Sequence, residues 1–132
     1  MNGESVTQTD KLTITLQGKE GAIGIRKSVY RKMGCPRYVS LRISYKNNAL
    51  MLRPCESKDV MSFQAPADFL TRHNSNFRVH SLRFVRDLLE SNRLDRDTTY
   101  VIEGTFSECF NAVLFPLNTA TVLNAENYAC DN

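Results

Sequence analysis

Twice along this chain the spacing of apolar residues changes from every second position to every fourth, and then back. No other feature of its 132 residues constrains the fold as much. Side chains alternate across a strand with a period of two, whereas one face of a helix repeats at three and four. Each double change therefore predicts a strand, a helix and then further strands. The first copy lies at 21–54, GAIGIRKSVYRKMGCPRYVSLRISYKNNALMLRP, and a looser one lies at 76–117.

Leu12, Ile14 and Leu16 point one way and Lys11, Thr13, Thr15 and Gln17 the other, which predicts a half-buried strand over 11–17. After a turn at 18–21, Ile23 and Ile25 continue as a second short strand, with Ala22, Gly24 and Arg26 on its opposite face. A helix is predicted over 26–33, where Val29 and Met33 stand four apart beside Tyr30. Gly34 supplies the left-handed residue that ends it, and Pro36 prevents its resumption. The stretch 38–45 alternates again with Val39, Leu41 and Ile43 inward. Asn47-Asn48 suits a tight hairpin turn, and Leu50 and Leu52 form a return strand stopped by Pro54.

A polar linker at 55–75 is expected to hold one short strand around 61–65. Phe77 and Val79 then open the second copy, with Ser81 as the N-cap of a helix over 82–92. Phe84/Leu88 and Val85/Leu89, both spaced i, i+4, carry that helix, and 100–105 with 112–117 form the closing hairpin. The expected core is Val29, Met33, Leu41, Ile43, Leu50, Leu52, Phe84, Leu88 and Val101. The chain thus divides into a flexible tail (1–10), a first unit (11–56), a second, diverged unit (57–117) and a C-terminal tail (118–132). The fold class expected is mainly β with two short helices. Neither unit alone buries both faces of its sheet, so two interlocked copies are expected to close a β-barrel and remove exposed edges.

Hydrophobic content of 42% and charged content of 23% are ordinary for a soluble globular protein. No apolar run approaches the roughly 18 residues that span a bilayer, and the polar start MNGESVTQTDK lacks the apolar stretch of a secretory signal. A cytoplasmic protein without a membrane partner is the expectation. Cys35, Cys55, Cys109 and Cys130 form no C-x-x-C pair, so neither a zinc site nor a disulfide framework is expected, and the thiols are read as buried or incidental. The net charge of +3 is unevenly placed. Between Lys11 and Cys55 ten Lys or Arg face a single acid, Glu20, which leaves seven basic and thirteen acidic residues elsewhere. That asymmetry points to a polyanionic partner for the first unit.

The first unit resembles the AbrB-like swapped-hairpin domains of transition-state regulators and MazE-type antitoxins, which MraZ carries twice per chain. Gly21, Ile23, Ile25, Val29, Met33-Gly34, Tyr38-Val39, Leu41, Ile43, Leu50, Leu52 and Pro54 match the family's glycine, strand, helix and basic-Pro-ended hairpin. The second unit matches by plan only. The resemblance implies a duplicated AbrB-like, or cradle-loop, β-barrel and DNA binding in transcription regulation. Ala22 stands where the family often has Arg, and Arg26 where it often has Pro.

Arg26 and Lys27 at the helix start, with Arg31 and Lys32 one turn on, are placed to follow a phosphate backbone, and Lys19 and Arg37 extend the patch. Duplex DNA is the expected partner, with a homodimer as a further expectation. The alternative is a non-enzymatic protein-interaction module, antitoxin-like or structural, whose partner is acidic. In the second unit Arg83/Asp87 and Arg86/Glu90 stand four apart and predict surface ion pairs. His73 and His80 lack a ligand set, and Gly18, Gly21 and Gly24 lack the context of a phosphate loop. No catalytic residue, metal or cofactor is expected.

Overall fold

The computed structural model describes residues 11–56, 58, 61–71 and 76–123. In the first half, β1 (Thr13–Gln17) and β2 (Ala22–Arg26) form a hairpin, followed by α1 (Lys27–Lys32), β3 (Tyr38–Ser44), β4 (Ala49–Cys55) and β5 (Ser62–Gln64). A 3-10 turn at Phe69–Thr71 precedes β6 (Asn76–His80), α2 (Leu82–Ser91), β7 (Thr99–Glu103), β8 (Thr105–Ser107) and β9 (Ala112–Pro116). A second 3-10 turn, Leu117–Thr119, leads into β10 (Thr121–Val122).

The strands make two five-stranded antiparallel sheets, ordered β10-β7-β1-β2-β6 and β5-β3-β4-β9-β8. Each sheet therefore takes strands from both halves of the chain. In the first, Ile14 lies opposite Ile25 and Ile102, and Leu16 opposite Ile23 and Tyr100. In the second, Leu41 lies opposite Leu52, which lies opposite Val113. These rows meet Val29, Tyr30, Phe69, Val85, Leu88 and Leu89 in one continuous core.

The halves share local geometry. Asn48 and Asn111 both take a left-handed φ, +49° and +50°, just before Ala49 and Ala112 open their strands. The Asn48 N–H donates to the Tyr45 carbonyl at 3.4 Å and the Asn111 N–H to that of Glu108 at 3.3 Å. Ser44 Oγ accepts the Asn47 N–H and Ser107 Oγ the Phe110 N–H, each at 3.4 Å. The two hairpins meet where β4 pairs with β9, Met51 opposite Leu114.

Both helices also end alike. The N–H groups of Gly34 and Cys35 donate to the carbonyls of Arg31 and Tyr30, both at 3.0 Å. Those of Arg93 and Leu94 donate to Glu90 and Leu89 at 3.1 and 2.8 Å. Each is the paired 5→2 and 6→1 bonding of a Schellman end, with Gly34 (φ +87°) and Arg93 (φ +59°) at the left-handed position.

Several expectations are corrected. The sheets do not close into a barrel. Each ends in a short edge strand of two or three residues, β10 in one and β5 and β8 in the other, too short to zip the sheets together. The expected strand at 100–105 is split at Gly104, so β7 joins the first sheet and only β8 pairs with β9. A Cβ at Gly104 would lie 2.5 Å from the Phe115 ring, which explains a glycine at the crossing.

Val101 is half-buried while its neighbours Tyr100 and Ile102 face the core, so the register expected there is one residue off. Ile43 and Phe84 pack on the core but stay half-buried. Thr13 and Thr15 are buried as well as Ile14 and Leu16, because β1 is the central strand rather than a half-exposed one. Arg26 belongs to β2 as an extended N-cap, and Met33 and Asn92 are C-caps. Ser81 is the N-cap of α2 but makes no side-chain capping bond. Part of the expected C-terminal tail is ordered as the second 3-10 turn and β10, whereas 1–10 and 124–132 lie outside the described residues.

Candidate nucleic-acid interface

α1 is only six residues long, too short to persist without tertiary support. Val29 and Met33 are buried beneath it, and Tyr30 joins Phe69 and Phe77 in an edge-to-face cluster with ring centroids 4.9–6.3 Å apart. Burial of the Tyr30 hydroxyl, and then the nearby Cys35 thiol, hold its pKa above the usual phenol value. On the other flank Ser28 Oγ donates to the Lys11 carbonyl at 2.7 Å, tying the helix to the entry of β1. These anchors leave the cationic flank at the surface.

The structure brings four of the six expected site residues together. Arg26 ends β2 and Lys27 opens the helix, both partly exposed, while Arg31 and Lys32 in the last turn are exposed. Lys27 Nζ lies 5.9 Å from the Phe69 ring centroid, and Lys32 Nζ lies 5.4 Å from that of Phe106. Such contacts orient an ammonium group without neutralising it. Arg37 is exposed beyond the helix end, where its carbonyl accepts the Ala65 N–H at 2.9 Å.

Lys19 is not part of this group. It sits in the β1–β2 turn, at the opposite end of β2 from Arg26. Five residues at about 3.4 Å each put roughly 14 Å or more between them. Phe69 and Phe106, which hold two of the cations, were not predicted as site residues. They come from distant segments, and no spacing in the chain announces them.

α2 is the opposite in character. Arg83, Asp87 and Glu90 are exposed on it, and Arg86 is half-buried with its Nε enclosed and unpartnered among the described residues. The expected i, i+4 pairs do not form. Glu90 instead meets Arg96 at 3.5 Å, across the helix end. Beyond it, Asp95 accepts the Asp97 N–H at 3.0 Å and the Thr98 hydroxyl at 2.8 Å. Those bonds, the backbone one first, lower its pKa below the usual carboxylate value.

Cys35 and Cys109 are exposed, which leaves only the incidental reading for them, and Cys55 is half-buried. Cys130 and His73 lie outside the described residues, and His80 is exposed at the end of β6. Among the described residues no three His, Cys, Asp or Glu cluster as a metal site, and no helix is long and apolar enough to cross a membrane. No family model, curated protein or solved structure matches the chain.

Proposed function

We propose that the chain is a non-enzymatic, DNA-binding protein of the transcription-regulator type, built on a duplicated AbrB-like plan and contacting duplex phosphates through α1. The observation that carries this reading is the run Arg26, Lys27, Arg31 and Lys32 on one exposed helix and its entry, in a stretch of sequence (26–32) that contains no Asp or Glu. Phosphate contact of this kind supplies affinity without base readout. Ala22, where the family often has a DNA-facing Arg, is fully buried, so any contact shifts to the Arg26 end of β2. The matched hairpin turns and helix ends support the duplication, with Met51–Leu114 at the junction of the copies.

The test is fluorescence anisotropy on a mixed-sequence duplex across a salt series. Each neutralised phosphate contributes about 0.9 to the slope of log K against log salt. Lys27→Ala with Arg31→Ala is expected to weaken binding to all sequences and make that slope shallower by about two contacts. Arg83→Ala with Arg96→Ala is expected to change little. No binding by the unaltered protein at low salt, or equal loss in both variants, overturns the reading in favour of an acidic protein partner.

A further inference from the structure

Gly104 is where the chain passes from β7 in one sheet to β8 in the other, and an open cleft of about 580 Å³ lies beside this crossing. Its position follows from the fold. The Gly104 N–H donates to the Leu12 carbonyl at 2.7 Å, which holds Lys11 and Leu12 along one wall. The last turn of α1 brings in Lys32, and the β8–β9 turn brings in Glu108. Glu103, at the end of β7, completes a lining that holds two lysines and two glutamates together with apolar Leu12 and Phe106.

These four charges line one cleft, yet among the described residues none of them forms an ion pair with another. Their signs also cancel. A polyphosphate would meet both glutamates and a bare cation both lysines, whereas a ligand carrying one charge of each sign has a partner for each end. The volume falls in the range of small-molecule sites, and Phe106 and Leu12 add apolar surface to the lining, with Lys32 Nζ 5.4 Å from the Phe106 ring centroid.

We propose that this cleft binds a small zwitterion of the α-amino acid class, its carboxylate toward Lys11 and Lys32 and its ammonium toward Glu103 and Glu108. The apolar side chain then rests on Phe106 and Leu12. The site stands independently of DNA binding, although an occupant would engage Lys32, one of the cations assigned to phosphate.

Titration of the full chain with L-leucine, followed by 1H–15N correlation spectra in the absence of DNA, tests the assignment. Saturable shifts confined to residues around Lys11, Lys32, 103–106 and Glu108 are expected at millimolar ligand. L-leucinamide and N-acetyl-L-leucine, each lacking one charge, are expected to bind at least tenfold more weakly. Glu108→Gln and Lys32→Gln, both at exposed positions, are expected to weaken leucine severalfold while leaving the remaining spectrum unchanged. No localised shift with 10 mM leucine overturns the proposal. So do equal affinities for leucine and its two singly charged analogues, because the paired charges would then play no part.

Discussion

The two helices end with the same pair of backbone bonds on different residues, and the difference separates geometry from its cost. At Gly34 a Cβ would meet nothing within 4 Å, so the glycine there answers a conformational need and not a steric one. At the matching place after α2 the chain puts Arg93 in the left-handed region, which costs an L-residue roughly 1–2 kcal/mol. α2 sustains that strain because Val85, Leu88 and Leu89 are buried along its ten residues and the main-chain bonds of Leu94 and Arg93 close its end. α1, with two buried residues in six, uses glycine at that position, although Cys35, the next residue, is itself left-handed at φ +54°. Their surfaces diverge in the same way. α1 carries cations alone, while α2 and the loop after it set arginines beside acids.

The largest expected effects test whether the halves share one core. Leu52 and Phe115 hold matching places in β4 and β9 and are fully buried. Phe115→Ala is expected to cost about 3–5 kcal/mol and Leu52→Ala about 2–5 kcal/mol in urea unfolding. A loss under about 0.5 kcal/mol at either, the scale of a surface position, breaks the equivalence.

Substitutions at the helix ends are expected to have opposite signs. Gly34→Ala should destabilise by about 1–2 kcal/mol through backbone strain alone. Arg93→Gly should stabilise by up to about 1 kcal/mol, the released strain being partly offset by the entropy of a glycine in the unfolded chain. Thermal unfolding of both variants side by side reads the contrast, and equal signs would end it.

A smaller asymmetry lies in the hairpin turns. Asn48 Nδ2 donates to Asn92 Oδ1 at 3.1 Å, linking the first turn to the end of α2, whereas among the described residues the Asn111 side chain makes no such bond. Asn48→Gly is therefore expected to cost about 0.5–1 kcal/mol, and Asn111→Gly to be neutral or slightly stabilising.

The smallest effects concern pH, and here too the halves should part. Stability from keeping Tyr30 neutral is complete below the ordinary phenol pKa and is lost as pH rises through its raised folded value. Stability from ionised Asp95 is present above the ordinary carboxylate pKa and is lost as pH falls through its lowered folded value. Amide shifts should therefore move first around Cys35 in alkali and around 95–98 in acid. The same segment leading in both directions would contradict the assignment.

Much of the fold is legible in the chain because period and turn chemistry are local. Val29 and Met33 four apart, Gly34 at the helix end and Asn48 before Ala49 each act within a few residues, and each element they predict is present. Where local signals are ambiguous, tertiary packing decides. Tyr100, Val101 and Ile102 are three apolar residues in a row, so alternation cannot choose an inward face. The pairing of β7 with β1 chooses it, setting Tyr100 and Ile102 opposite Leu16 and Ile14.

The cationic run of the candidate interface is legible because its four members are neighbours along the chain. Lys19 misleads because a turn close in sequence lies a whole strand away in space, and the rings under Lys27 and Lys32 arrive from positions 69 and 106. The sequence by itself determined both helices, most of the strands and where cations accumulate, but neither β10 nor the break that separates β7 from β8. Only the tertiary structure decided that two sheets remain open, that the chain crosses between them at Gly104, and that opposite charges gather around that crossing. Those outcomes depend on strand partners far apart in sequence, and periodicity within a segment carries no information about its partner.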